Sequence, residues 1–293
     1  MRTEREMVDL ILEIARADER IRAVYMNGSR VNPSVPRDIF QDYDIVYVVD
    51  QTESFIRDQY WIRVFGEPLI IQLPYEMDRI AGQDVDFSRH YAYLMQFADG
   101  NRIDLTILTL EQCLAEFFDD KLTVVLLDKD GALPAIPPPS DQDYRVRKPT
   151  QDLFDCCCNE FWWMSLYVAK GLWRSEILYA MDNMNHYLRP QLLTMVSWHA
   201  GLLNNFAISV GKCGKYLNQF LPQPAWRQLL ATYPAAEEQA VWVALAEACQ
   251  LFDTIARDTA DQLGLTYQTP EADRCRAYLE HIRQLPRHAT EIR

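Results

Sequence analysis

Three aspartates and one Gly-Ser pair are the residues whose types and spacing could do chemistry. Asp42 and Asp44 stand two apart at the start of a β-branched run, DIVYVVD. Side chains at i and i+2 of a strand face the same way, so the two carboxylates project together. Side by side they repel and call for a cation, and an all-oxygen donor set selects a hard divalent ion such as magnesium. About a dozen residues upstream, the strand-like IRAVYMN ends in Gly28-Ser29. Glycine lets a backbone come close to a ligand, and N–H groups with a hydroxyl at a helix start bind phosphate oxygens. Arg30 adds a charge there or forms an ion pair elsewhere. Asp104, in RIDLTI, is an acid flanked by apolar residues within a strand. Such an acid is costly unless it is paired, metal-bound or turned to water on an edge strand. It is the third carboxylate that a two-metal site needs, or the base that takes the proton of an incoming hydroxyl, or both. Together these residues suit transfer of a phosphorus group from a metal-bound triphosphate to a hydroxyl.

The elements that must position them read as an α+β fold, a mixed-sheet N-terminal domain followed by an all-helical C-terminal domain. Met7, Leu10, Ile11 and Ile14 predict an amphipathic helix over residues 3–18. Strands are expected at Ile21–Asn27, Asp44–Asp50, Leu69–Leu73 and Leu122–Leu127, and at Ala92–Ala98 and Asn101–Leu108 around an Asp99-Gly100 turn. Thr52–Val64 is expected to be a helix, and Thr109 with Gln112 predicts a capping box. The stretch PAIPPPSDQDYRVRKPT carries five prolines and predicts a semi-rigid linker. The expected division is a domain carrying the three acids over 1–135, the linker over 136–150 and a helical domain over 151–293, read as the one that binds the substrate. Breaks between its five or six helices are expected near Pro190, Pro222-Pro224, Pro234 and Pro270.

Lys and Arg number 29 against 42 Asp and Glu, a net charge of −13. That balance argues against a nucleic-acid partner, whose phosphates need a basic face, and favours cationic ligands. Seven cysteines, three consecutive at Cys156–Cys158, make no disulfide framework and no zinc spacing. The charged N-terminus has no apolar leader, and no run reaches membrane-spanning length. The expectation is a cytoplasmic monomer with no membrane partner.

In the helical half, Lys212 and Lys215 sit three apart and share a face. They suit β and γ phosphates or plain solvent. A helix expected over residues 172–189 carries Tyr179 and Asp182 at i, i+3, with Trp173 and Glu176 one to two turns earlier and Glu160 beside Trp162 and Trp163. Acids with aromatics suit a guanidinium-bearing sugar, although tryptophans at this spacing also serve as core. The five histidines form no ligand spacing.

The ordered set of strand, Gly-Ser, D-hydrophobe-D and a later isolated Asp resembles the polymerase-β-type nucleotidyltransferase superfamily. The runs NGSRVN, DIFQDYDIVYVV and ADGNRIDLTIL, with FDCCCNEFWWMSLYVAKGLWRSEILYAMDNM, RPQLLTMVSWHAG and VGKCGKYLNQFLP, resemble the aminoglycoside 6-adenylyltransferases over most of the chain. That resemblance implies transfer of AMP from Mg-ATP to the 6-hydroxyl of streptomycin, release of pyrophosphate, and antibiotic resistance. It implies two magnesium ions held by Asp42, Asp44 and Asp104, and a triphosphate touched by Gly28, Ser29, Arg30, Lys212 and Lys215. It leaves Asp182, Tyr179, Trp173 and Glu160 as contacts for a small cationic aminoglycoside. Other acceptors remain open: another small molecule, a protein side chain or a tRNA end, the last disfavoured by charge. A non-catalytic nucleotide-sensing or toxin–antitoxin module on the same fold is the other alternative, and the presence of all three acids weighs against it.

Overall fold

In the computed structural model, which describes residues 1–292, the chain divides into two compact units, the first Met1–Asp143 and the second beginning at Tyr144. The first runs α1 (Glu4–Ala17), β1 (Ile21–Asn27), β2 (Tyr43–Val49), α2 (Glu53–Arg57), β3 (Pro68–Gln72), α3 (Pro74–Ile80), β4 (His90–Phe97), β5 (Arg102–Thr109), α4 (Leu110–Glu116) and β6 (Thr123–Asp128). Short 3-10 turns lie at Gly28–Val31 and Gln59–Phe65. The six strands form one sheet in the order β3-β4-β5-β2-β1-β6. Only β2 and β5 are paired in parallel, and every other neighbouring pair is antiparallel.

Alternation along the strands divides the sheet into two faces. Tyr43, Ile45, Tyr47 and Val49 of β2, with Ile103, Leu105 and Ile107 of β5, join Met7, Ile11 and Ala15 of α1 in one core. Val46 and Val48 of β2 and Leu108 of β5 face the other way, against Cys113 and Phe117 of α4 and its end. Asp44 and Asp104 share the parity of this second face. A complete capping box starts α1, Thr3 accepting from the Glu6 backbone while Glu6 accepts from that of Thr3. The Tyr47 hydroxyl donates to the Ile11 carbonyl at 2.7 Å and ties α1 to β2. Arg2 ties the helix start to the β4–β5 hairpin, its Nε donating to Asp99 at 2.7 Å. In that hairpin Gly100 takes the left-handed conformation that the turn needs, φ +89°.

The expected helix over Thr52–Val64 is interrupted. α2 ends at Arg57, and the Asp58 side chain accepts from the Tyr60 backbone and starts a new 3-10 turn, the local competition for which aspartate is known. The short α3 opens on Pro74 and buries none of its residues, so it leaves no apolar period to read. At α4, Thr109 accepts from the Gln112 backbone, but the Gln112 side chain turns to Glu116, and only half of the expected box forms.

The Pro-rich stretch is not a free spacer. Leu133 and Ile136 pack on the first unit, and the Ser140 amide and Asp143 carboxylate both bond Lys121, at 3.1 and 2.6 Å. Val146 donates to the Ile208 carbonyl of the second unit at 2.9 Å.

The second unit holds α5 (Gln151–Trp173), α6 (Ile177–Asp182), a π-helical turn (Asn183–Leu188), α7 (Arg189–Leu203), α8 (Leu217–Phe220), α9 (Gln223–Ala231), α10 (Glu238–Leu263) and α11 (Thr269–Gln284). None of the described helices is long and apolar enough to cross a membrane. The break expected at Pro190 is absent. The π turn, in which the Arg189 amide donates to the Met184 carbonyl five residues back, takes up the strain of a residue that has no N–H. At the centre, Phe161 of α5 stacks on Phe252 of α10, with centroids 3.8 Å apart and planes 3° from parallel. Next to it, buried Asp253 accepts from Arg257, Arg276 and Tyr267 at 2.9, 2.9 and 3.0 Å, joining α10 to α11. Truncation of Phe252 to alanine is expected to cost about 3–5 kcal/mol. A fall in the urea midpoint read by tryptophan fluorescence would report it, the Trp162 and Phe252 ring centroids lying 6.1 Å apart; an unchanged midpoint would contradict this account of the core.

Candidate active site

β2 and β5 pair in register, Asp44 opposite Asp104 and Tyr43 opposite Ile103. Neighbouring strands lie about 4.8 Å apart, so the two carboxylates start from adjacent backbones and point from the same face. Asp42, one residue before β2, has the same parity. The carboxyl of Asp44 is pushed up to about 6, first by burial and then by the negative charges of Asp104 and Asp42. What offsets this charge is a residue the sequence reading passed over. Arg102 lies two residues before Asp104 on the same face of β5, and its Nε and Nη2 donate to the two oxygens of Asp104, both at 2.8 Å. The same Nε lies 3.6 Å from Asp42 Oδ2. The available signal was the spacing itself, since R-x-D in a strand puts both side chains on one side.

Gly28 closes the other side. It sits where β1 passes into the 3-10 turn, with φ +79°, and a Cβ built on it would lie 2.1 Å from Asp44 Oδ2. Only glycine fits here, for conformation and for clearance. Its N–H donates to the carbonyl of Leu122, the residue before β6, at 3.2 Å. The N–H groups that suit a phosphate are therefore those of Ser29 and Arg30, since the first amides of a helical turn have no intrahelical acceptor.

Of the two roles open to Arg30, a charge at the phosphates or an ion pair elsewhere, its side chain is placed for the second. It is buried, 5% exposed, with its guanidinium 3.7 Å from the Tyr43 ring centroid. Nε donates to the Asp42 carbonyl at 3.1 Å and Nη2 to the Gln41 carbonyl at 2.7 Å, and Glu4 of α1 lies 3.3 Å from Nη1. Gln41 answers by donating from Nε2 to the Ser29 carbonyl at 3.2 Å. These reciprocal bonds clamp the Gly28–Val31 turn to the residues that lead into β2. Arg30 thus holds Asp42 directly and Ser29 through Gln41, and its donors are engaged by the protein.

The residues expected to meet phosphate or sugar in the second unit lie on three separate elements. Lys212 and Lys215 are exposed around a 3-10 turn in which Cys213 has φ 57°, and the Lys215 ammonium lies 5.0 Å from the Tyr216 ring centroid. The helix expected over residues 172–189 is broken. α5 ends at Trp173, and Ser175, with φ 59°, turns the chain before α6 begins at Ile177. Trp173 and Glu160 therefore belong to α5, where thirteen residues of rise separate them by roughly 20 Å. The Trp173 indole donates to the Leu285 carbonyl at 3.0 Å and packs on the helical core. Tyr179 and Asp182 stay exposed on α6, and Asp182 bonds His186 at 2.7 Å.

As a donor set, Asp42, Asp44 and Asp104 offer the hard oxygens that magnesium prefers, and their mutual repulsion is what a divalent cation would relieve. Among the described residues no three acidic, cysteine or histidine side chains converge as a ready-made ion cage; here Arg102 bridges two of the acids. A carboxyl whose folded pKa stands above its ordinary 3.8 costs nothing below that value. The cost grows as pH rises and is complete above about 6. In divalent-free buffer near neutral pH, Asp44→Asn should therefore stabilise the protein by about 1–3 kcal/mol. Thermal melting should show a gain of a few degrees that vanishes by about pH 4; no gain, or a gain that persists in acid, would contradict this reading of Asp44.

Residues 1–282 match the family model described as streptomycin adenylyltransferase. An aminoglycoside 6-adenylyltransferase of Campylobacter jejuni is 43% identical over 267 residues, 91% of each chain. That of Bacillus subtilis (strain 168) is 39% identical over 274 residues, 93% of this chain and 95% of the relative. A solved structure of an aminoglycoside 6-adenyltransferase from Bacillus subtilis aligns over 97% of this chain and 100% of its own, with 34% identity and a TM-score of 0.48. A family match of this span and relatives this similar over nearly their whole length lead to one assignment: the chain belongs to the streptomycin adenylyltransferase family.

Proposed function

We propose that the protein transfers AMP from ATP to a hydroxyl of an aminoglycoside, the 6-hydroxyl of streptomycin, with release of pyrophosphate and loss of antibiotic action. The acceptor class follows the names of its relatives, aminoglycoside 6-adenylyltransferases at 43% and 39% identity. The net charge of −13 suits a polycationic acceptor. The observation that carries the chemistry is the in-register pairing of Asp44 with Asp104 under a glycine that leaves no room for a side chain.

In this reading the acceptor hydroxyl oxygen forms a bond to the α-phosphorus, and the bond from that phosphorus to the β-phosphate oxygen breaks. Asp42 and Asp44 hold magnesium, which supplies charge neutralisation on the phosphate oxygens when bound. Asp104 accepts the hydroxyl proton, shares in holding a second ion, or both. Ser29 and the turn that Arg30 clamps present amides to the phosphates. Lys212 and Lys215 are the candidate cations for the leaving pyrophosphate. Glu160, Trp173, Tyr179 and Asp182 remain candidates for the acceptor, the exposed Tyr179 and Asp182 of α6 being better disposed than Trp173, whose N–H is already bonded.

The direct test is incubation with ATP, magnesium and a panel of aminoglycosides, with pyrophosphate release and product mass as readouts. An adenylylated streptomycin is expected. No turnover on any aminoglycoside by folded protein would refute the acceptor assignment. Asp42→Asn and Asp104→Asn should each lower kcat on the order of 10³-fold, with a cooperative melting transition retained. Gly28→Ala should lower it by about 10²-fold or more, because Asp44 must move by a large part of an ångström to admit the methyl group. A Gly28→Ala enzyme with ordinary kcat would remove the reason given for this glycine.

A further inference from the structure

Arg102 is set apart from the other cations of the first unit by what it touches. Its fork takes both oxygens of Asp104, the two bonds being equal at 2.8 Å, and its Nε also lies 3.6 Å from Asp42. A planar guanidinium suits this two-point grip as a lysine ammonium does not. Arg102 does little for the core: its side chain is 40% exposed and stands at the first residue of β5, with Gln96 as its partner across the hairpin. Its interactions are thus directed to the acids and not to packing. Arg30, by contrast, is buried and bonded to backbone carbonyls.

We propose that Arg102 is the place-holding counter-ion of the acidic cluster, bridging Asp42 and Asp104 until they exchange it for a divalent cation as the nucleotide loads. The inference rests on the reading of Asp42 and Asp104 as metal-holding residues. Three carboxylates on one sheet face need positive charge at every stage of a turnover, including the stages without nucleotide. A guanidinium and a divalent ion cannot share the same two carboxylates at low cost, because like charges about 4 Å apart repel strongly in a half-buried site. The exchange needs no movement of strands. The arginine has rotatable bonds enough to swing away, and Asp104 stays on a central strand. Arg102 is thereby a positioning residue: it holds the acids together and correctly aimed, and it sets the affinity against which the divalent ion must compete.

Two measurements on the full chain test this. In nitrogen-15 spectra, the Arg102 Nε–H signal, identified by its loss in Arg102→Lys, should exchange slowly with water in metal-free protein. It should exchange like that of an exposed arginine once magnesium is saturating. In parallel, Mn2+ binding, followed by the electron paramagnetic resonance of the free ion, should tighten about fivefold in Arg102→Gln. Arg102→Lys, which keeps the charge and loses the fork, should tighten it by less but measurably. A protected Nε–H in the magnesium-saturated protein would overturn the proposal, as would Mn2+ binding no tighter in either variant. Tightening in Arg102→Gln with none in Arg102→Lys would reduce the effect to net charge and also overturn it. Wild-type protein that binds no Mn2+ would instead remove the metal reading itself, and this inference with it.

Discussion

The parallel pairing of β2 with β5 places Asp44 directly opposite Asp104, and the rest of the first unit is arranged around that juxtaposition. Two carboxylates on adjacent strands repel, and with Asp42 the group carries more negative charge than its partly buried surroundings favour. Three devices hold it. Arg102 supplies a fork from within the same strand, Gly28 leaves a gap over Asp44 that no other residue would leave, and the Arg30–Gln41 clamp holds the entry to β2. The other face of the sheet enters this electrostatics through Arg30, which lies over Tyr43 and pairs with Glu4 of α1. It is filled by α1 and the tyrosines of β2 and β4, whose burial supplies the rigidity against which the acids are aimed.

The division of labour between the faces is why much of the site could be read before folding. Asp42, Asp44 and Asp104 are separable from their apolar neighbours by parity alone, because a strand alternates sides residue by residue. The Gly-Ser pair at a strand end was equally legible, although its Gly28 amide goes to Leu122 and not to a ligand. Arg30 was legible only as a choice between a charge at the triphosphate and an ion pair elsewhere; its pairing with Glu4 and its bonds to carbonyls brought close by the return of the chain into β2 are announced by no local pattern. Arg102 was overlooked for a different reason. Its spacing from Asp104 was visible, but its link to Asp42 exists only once β2 and β5 lie side by side.

In the helical unit, legibility failed at the breaks. A left-handed Ser175 ends the periodicity that seemed to join Trp173 to Asp182, and serine carries no strong signal for that conformation. The strand and helix classes survived these errors because they rest on sums over many residues, such as the buried stripe of α10 that carries Leu245, Phe252 and Ile255. Single positions at element ends depend on one or two contacts and are decided by the tertiary neighbourhood.

The π turn before Pro190 has a consequence for how the helical unit can vary. One turn closed by a five-residue bond holds one residue more than the same turn of α-helix, so side chains before Asn183 and after Leu188 are out of phase by about 100°. Buried Arg189, whose guanidinium bonds Thr232 and lies 3.6 Å from the Tyr233 ring centroid, faces inward because of that offset. A deletion of one residue in Asn183–Leu188 would restore regular winding locally while rotating everything downstream, and would turn this charge away from its pocket. The length of that segment is therefore constrained more tightly than its composition.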